Sequence, residues 1–350
     1  MTIEQRLTLI TRNTEEILTG EELKELLETK KEPVVYLGYA PTGRLHIGYM
    51  IPAMKIKDFI EAGLKVKILL ADIHALLDSL KTVPELLNKR AEYYHLALNE
   101  LYRALGIDIN KIEFVRGSDF ELKPDYTMDV YRLAAQTTFE RCKHAASEVV
   151  KFGENPRLSG FLYPILQTLD EEYLAADIQY GGVDQRKILG FAREEHPKIG
   201  QKKSVAIMTP MLPGLEGGKM SASDEASKID LLDDEETIAA KVNKAYACEG
   251  SLENNGMMSF MKYVLMVLKE DRGETFLVER PQKFGGNIKY KNYADLERDY
   301  LTKTLHPQDL KNALTRELAD LLKPVREFFE DKQELIKEAY PEEIKSSSRT

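Results

Sequence analysis

Cysteine is nearly missing from this chain: Cys142 and Cys248 are the two among 350 residues. Two thiols make neither a disulfide framework nor a four-cysteine zinc site. The six histidines are scattered, with no H-E-x-x-H pair to put two imidazoles on one helix face. No apolar run approaches the ~20 residues that cross a membrane. The opening residues, with Glu4 and Arg6, lack the apolar stretch of a secretion signal, so a cytoplasmic location is expected. Two phosphate-binding patterns are absent, G-x-G-x-x-G and a loop ending in G-K-[ST]. So are G-x-S-x-G and any convincing nucleophile–base pair. Positive charge is in deficit: 49 Lys and Arg against 58 Asp and Glu leave a net −9, which argues against a broad nucleic-acid-binding surface. No DNA partner is expected, and RNA could be held only by a local face.

What is present is the composition of a soluble globular protein, 43% hydrophobic and 31% charged, long enough for two domains with separate cores. The most informative stretch is Val34 to Tyr49, V-V-Y-L-G-Y-A-P-T-G-R-L-H-I-G-Y. A β-branched and aromatic run reads as a buried strand; Pro41, Thr42 and Gly43 signal a turn; apolar residues at helical spacing follow through Met50, Met54, Ile56 and Phe59. A helix N-terminus at the end of a buried strand attracts anions through free N–H groups and its dipole. There His46 can donate to a phosphate, and Gly48 lets a flat base lie against the backbone. A second stretch, G-G-K-M-S-A-S at 217–223, offers a basic, glycine-flanked loop suited to a polyphosphate, or simply a solvated surface loop.

Along the chain, residues 3–30 read as helices packed on the domain, one starting near Asn13-Thr14-Glu15-Glu16 and one at Thr19-Gly20. The run at 65–75 reads as a second strand entering a loop, with Asp72 and His74 at its C-terminal end, where open α/β sheets place ligands. Helices at about 84–105 and a strand at 113–118 follow. Amphipathic helices at 126–136 and 139–152 break the alternation; they could cover the domain's own core or form an interface. The helix Tyr163 to Ala176 puts Tyr163, Gln167 and Asp170 on one face. A second strand–glycine–helix junction, Gln179 to Arg186, places Gly182, Asp184 and Gln185 where a ribose and a carboxylate could be held; Asp184 could equally be a plain N-cap. Residues 227–232 are the last extended piece, and from Asp233 the pattern is helical, clearest at 235–246, 256–268 and 309–329. The tail from 341 is polar and expected to be disordered.

H-I-G-Y at 46–49 and K-M-S-A-S at 219–223 together resemble the signature pair of class I aminoacyl-tRNA synthetases, H-I-G-H and K-M-S-K-S. Y-P-I-L-Q-T-L-D at 163–170 and Q-Y-G-G-V-D-Q-R-K at 179–187 are similar to tyrosyl-tRNA synthetases of the eukaryotic and archaeal type, and the resemblance runs from about residue 10 to 340. It implies a Rossmann-like parallel-sheet catalytic domain at 1–232 with a connective, dimer-forming insertion at about 124–160, then an all-α anticodon-binding domain at 233–340. Many eukaryotic members carry a further C-terminal domain, and none is expected here.

The implied reaction joins L-tyrosine to ATP as tyrosyl-adenylate, with Mg²⁺ accompanying the ATP and no tightly bound protein metal, and then transfers tyrosine to its tRNA. By resemblance, Tyr36 and Asp170 hold the substrate phenol, and Tyr163, Gln167 and Gln185 its amino and carboxylate groups. Gly38, His46, Gly48, Tyr49, Gly182 and Asp184 fall to ATP, as do Lys219, Met220, Ser221, Ala222 and Ser223. Phe284, His306 and Asp309 fall to the anticodon, though Phe284 could instead be tucked into a helix–loop junction. Tyr49 and Ala222 replace the second His and second Lys of the general signatures, replacements common in this branch, which puts weight on His46 and Lys219. A tryptophanyl-tRNA synthetase-like enzyme and a non-charging RNA-binding scaffold are the rivals. The Tyr36/Asp170 pair disfavours the first, and intact His46, Lys219 and Gln185 the second.

Overall fold

A computed structural model describes residues 1–78, 82–215, 217 and 228–341. At its centre is a six-stranded sheet of β1 (Glu16–Leu18), β2 (Val34–Tyr39), β3 (Lys65–Leu70), β4 (Ile112–Arg116), β5 (Ile178–Gly182) and β6 (Val205–Thr209). The order across the sheet is β1-β6-β5-β2-β3-β4. β2 to β6 are parallel, and β1 pairs antiparallel with β6. Apolar continuity in β2, β3 and β6 reflects burial on both faces. Leu37 and Ile68 share one core with the helices Met50–Glu61 and Leu87–Ala104, while Tyr36 and Leu69, their alternate neighbours, pack with Leu174 in another. The chain steps from β2 outward to β3 and β4, then returns to lay β5 on the other side of β2. Such a reversal opens a crevice at the carboxyl ends of the two central strands.

Three local expectations are corrected. The first helix is Ile3–Thr11, capped by Thr2, and Asn13 in a left-handed conformation ends it before Thr14 and Glu15 can start another. Glu16–Leu18 then adds an edge strand on β6, where a helix was expected. The loop expected after β3 is the helix Asp72–Leu77; no Gly or Pro interrupts that apolar run, and the Asp72 side chain accepts the N–H groups of Ile73 and Ser118.

The insertion forms the helices Pro124–Gln136 and Phe139–Ala146, whose inner faces pack Tyr126, Leu133, Cys142 and Ala145 against Phe161, Ile165 and Leu169 of the helix Ser159–Tyr173. After Asp233 come the helices Glu235–Lys244, Gly256–Phe260, Met266–Arg272, Tyr293–Leu301, Pro307–Phe329 and Gln333–Ala339. A small antiparallel ribbon, β7 (Phe276–Val278) with β8 (Ile288–Tyr290), is an addition the helical pattern concealed. One continuous apolar core includes Met54 and Phe59 together with Phe260, Leu322 and Phe329. Asp271 joins the two halves by accepting from Arg12 at 2.8 Å and Lys57 at 2.6 Å. Among the described residues no helix is long and apolar enough to cross a membrane. The tail at 342–350 lies outside the described residues.

Candidate active site

A cavity of about 400 Å³ opens at the carboxyl ends of β2 and β5. Tyr36 and Gly38 reach it from β2, Gly182 from β5, and Asp184 and Gln185 from the turn after β5. Tyr163, Gln167 and Asp170 line it from one face of the helix Ser159–Tyr173, and His46, Gly48 and Tyr49 close one side. The structure thus brings together every described residue that the sequence points to for tyrosine and ATP. The signature segment at 219–223 lies outside the described residues.

His46 caps the first turn of the helix it precedes. Its Nδ1 accepts the Gly48 N–H at 3.1 Å, which leaves Nε2 carrying the ring proton. Burial, reinforced by the charge of Lys228, pushes the imidazole down to about 3, so the ring is neutral with Nε2–H available to donate. Asp230 holds this element from behind. It pairs in an antiparallel bridge with His46 and forms an ion pair with Arg44 at 2.8 Å. The Tyr49 ring meets His46 edge-on at 5.0 Å, and its hydroxyl lies 3.2 Å from that of Tyr94.

At the second junction, a Cβ on Gly182 would stand 2.6 Å from Asp184 Oδ1 and 2.7 Å from Met211 Sδ, so a larger residue there would push those side-chain ends aside. Asp184 caps neither the 3₁₀ turn it belongs to nor the helix Arg186–Glu195 that follows. Gln167 Nε2 donates to Gln185 Oε1 at 3.4 Å, linking helix and turn across the cavity.

The floor adds Glu121 and Tyr126, which sequence reasoning left out, to Asp170, His74 and Asp72, which it named. Asp170 is fully buried, and its Oδ1 accepts from the Tyr126 hydroxyl at 2.7 Å. His74 Nε2 lies 3.5 Å from Asp170 Oδ2, and His74 Nδ1 lies 3.7 Å from Glu121 Oε1. Asp72 sits beside them, held by Arg116 at 2.6 Å. Burial pushes the Asp170 carboxyl upward, with help from the nearby Glu121 charge. Burial and Asp72 push Glu121 up to about 8, and burial pushes His74 down. The position of His74 at the end of β3 was a legible signal. Glu121 and Tyr126 carried none, because only tertiary packing of the insertion brings them to the floor.

The anticodon candidates lie apart from this cavity. Phe284 is 58% exposed in a 3₁₀ turn, with Lys283 Nζ 4.8 Å from its ring centre, so it is not tucked into a junction. His306 caps the helix Pro307–Phe329 by accepting the Gln308 N–H, and Asp309 lies in that helix's first turn. Arg280 donates to both the Gly286 and Thr304 carbonyls, drawing the two segments together.

A family model described as tRNA synthetases class I (W and Y) matches residues 28–323. The tyrosine–tRNA ligase of Haloarcula marismortui is 45% identical over 338 residues, covering 97% of each chain. The cytoplasmic tyrosine–tRNA ligase of Saccharomyces cerevisiae is 44% identical over 342 residues, 95% of this chain and 87% of the yeast protein. A crystal structure of tyrosyl-tRNA synthetase from Archaeoglobus fulgidus complexed with L-tyrosine superposes with a TM-score of 0.86 at 40% identity, covering 93% of this chain and 99% of that one. With the signature junction, the doubly flanked cavity and relatedness along almost its whole length, this chain belongs to the tyrosyl-tRNA synthetases of the archaeal and eukaryotic type, within class I.

Proposed function

We propose that the cavity between β2 and β5 is where this ligase forms tyrosyl-adenylate. The observation that carries this reading is the convergence of Tyr36, Asp170, Gln167, Gln185 and His46 on a single cavity. The tyrosine phenol lies at the buried end, between Tyr36 and Asp170. Tyr163, Gln167 and Gln185 hold its amino and carboxylate groups. ATP lies along Gly38, Gly48, Tyr49 and Gly182, whose glycines allow close approach, and Asp184 takes its ribose. His46 Nε2–H donates at the α-phosphate. Lys219, with Ser221 and Ser223 and the neighbouring Met220 and Ala222, covers the departing pyrophosphate. Mg²⁺ accompanies ATP through its phosphates. No side chain need be a nucleophile: the tyrosine carboxylate attacks in line, and positioned donors stabilise the charge that develops.

The tyrosyl group then passes to its tRNA. Phe284 stacks on an anticodon base, Asp309 pairs with a base edge, and His306 orders the turn beside it. We assign residues 1–232 to catalysis and 233–340 to the anticodon. We also propose a cytoplasmic homodimer; Leu122, Met128, Tyr131 and Phe139 form exposed apolar surface around the insertion, the kind an interface covers. ATP–pyrophosphate exchange measured with each of the twenty amino acids tests the assignment. Exchange should depend on tyrosine, and exchange driven best by another amino acid refutes it.

A further inference from the structure

The floor of the cavity carries more acid–base chemistry than gripping a phenol requires. His74, Glu121 and Asp170 are 2%, 4% and 0% exposed. Both His74 nitrogens, both Glu121 oxygens and Asp170 Oδ2 lack a hydrogen-bond partner. They are arranged in series: Glu121 Oε1 faces His74 Nδ1 at 3.7 Å, and His74 Nε2 faces Asp170 Oδ2 at 3.5 Å. Gly117 makes room for the series, since a Cβ there would stand 2.4 Å from Glu121 Oε1.

Buried carboxylates this close cannot all be charged. Asp72 is the one equipped to be, with two backbone N–H groups on Oδ1 and Arg116 on Oδ2. The remaining neighbours are neutral phenols, Tyr36 from β2, Tyr126 from the insertion and Tyr163 from the helix that carries Asp170; all three are held above their ordinary range by burial. Further acids are Asp78 and Asp184, which act on Tyr163, and Glu171, which acts on Tyr36. Burial pushes both Glu121 and Asp170 upward, but Asp170 has a donor in the Tyr126 hydroxyl and His74 beside it, whereas both Glu121 oxygens lack a partner and face Asp72, so the shared proton is assigned to Glu121.

We propose that Glu121 and His74 are positioning residues that set the charge of Asp170. Glu121 keeps its proton and donates it to His74 Nδ1; His74 donates from Nε2 to Asp170 Oδ2; Asp170 stays an anionic acceptor for the phenol of the substrate. Oδ2 has a second lone pair free for that phenol. The relay rests on the reading that the phenol lies at Asp170. It adds that discrimination of tyrosine depends on two residues that do not touch it. Once Glu121 loses its proton, His74 faces two anions, and the acceptor loses its fixed orientation. Burial beside Asp72 sets that loss at about pH 8.

The test is the KM for tyrosine in ATP–pyrophosphate exchange from pH 6.5 to 9.5, each variant scaled to its own value at pH 7. The wild type should rise by about tenfold per pH unit beyond the titration of Glu121. Glu121→Gln keeps a donor toward His74 but cannot titrate, so this component of the rise should vanish. His74→Gln should lose it as well, giving a second route should the first variant fold poorly. Glu121→Ala should raise KM about tenfold at every pH, because the imidazole loses its partner. If Glu121→Gln and His74→Gln both follow the wild-type curve, the titration belongs to the substrate and the relay is wrong. Failure of the underlying reading shows separately, as an unchanged tyrosine-to-phenylalanine preference in Asp170→Ala.

Discussion

The hydroxyl of Tyr340 donates to the carbonyl of Gly43 at 3.1 Å, across 297 positions of sequence. Arg90 reinforces the contact by donating to the carbonyls of Ala339 at 2.9 Å and Thr42 at 2.8 Å, with its guanidinium 4.8 Å from the Tyr340 ring centre. Tyr94 donates to the same Gly43 carbonyl at 2.7 Å. The end of the helical region therefore braces the turn that precedes His46. Tyr340→Phe keeps the ring over Arg90 and removes one hydrogen bond, worth ~1 kcal/mol. We expect KM for ATP to rise roughly fivefold while KM for tyrosine holds. Equal changes in both would assign Tyr340 to folding alone.

The buried Glu121 should make itself felt in stability. Its folded value, about 8, lies above the ordinary 4.5, so folding takes up a proton between those limits. Stability is then fully present below about pH 4.5 and falls as pH rises toward 8, by at most ~1.4 kcal/mol per unit. Glu121→Gln removes that term. Its melting temperature relative to wild type should climb from pH 5 to pH 8; a constant difference would mean that Glu121 ionises normally in the fold.

Lys219 is assigned to the leaving pyrophosphate, a contact made mainly in the transition state. Lys219→Ala should therefore lower kcat for adenylate formation strongly and leave tyrosine binding nearly unchanged. Pre-steady-state adenylate formation is the check. A normal rate would remove Lys219 from the mechanism.

For the anticodon, the loss of one base–aromatic stack costs ~1–3 kcal/mol. Phe284→Ala and Asp309→Ala should weaken tRNA charging by about ten- to a hundredfold and spare ATP–pyrophosphate exchange. A parallel fall in both activities would show that these residues support the fold.

The parts legible in the sequence were those written in local pattern. Buried strands run as continuous apolar stretches, and the two strand–glycine–helix junctions announce themselves by turn chemistry; both meet at the cavity. The edge strand at Glu16–Leu18 escaped because three residues with no alternation carry no periodicity, and its pairing with β6 lies far along the chain. The same limit hid the floor. Glu121 follows a turn and Tyr126 starts a helix, and neither position implies a partner until the insertion packs on the helix Ser159–Tyr173. His74 stood where a ligand residue is expected, at the end of a parallel strand, but its neighbours were invisible. Spacing placed Asp170 on one helix face and resemblance gave it the phenol; its complete burial shows that a charge there needs support from other residues.

Tyrosine and phenylalanine differ by one hydroxyl, and rejection of phenylalanine needs buried groups that it leaves unpaired. This enzyme family is itself the standard illustration of such rejection, so its size is not inferred from the structure. Tyr36 and Asp170 are the pair proposed to provide it. The most direct measurement is kcat/KM in the exchange assay for tyrosine and for phenylalanine, with wild type, Asp170→Ala and Tyr36→Phe compared. Asp170→Ala should lose tyrosine activity sharply and Tyr36→Phe less so, with the preference over phenylalanine narrowed in both. Loss of both amino acids by the same factor would contradict the assignment and leave Asp170 a residue of the fold alone.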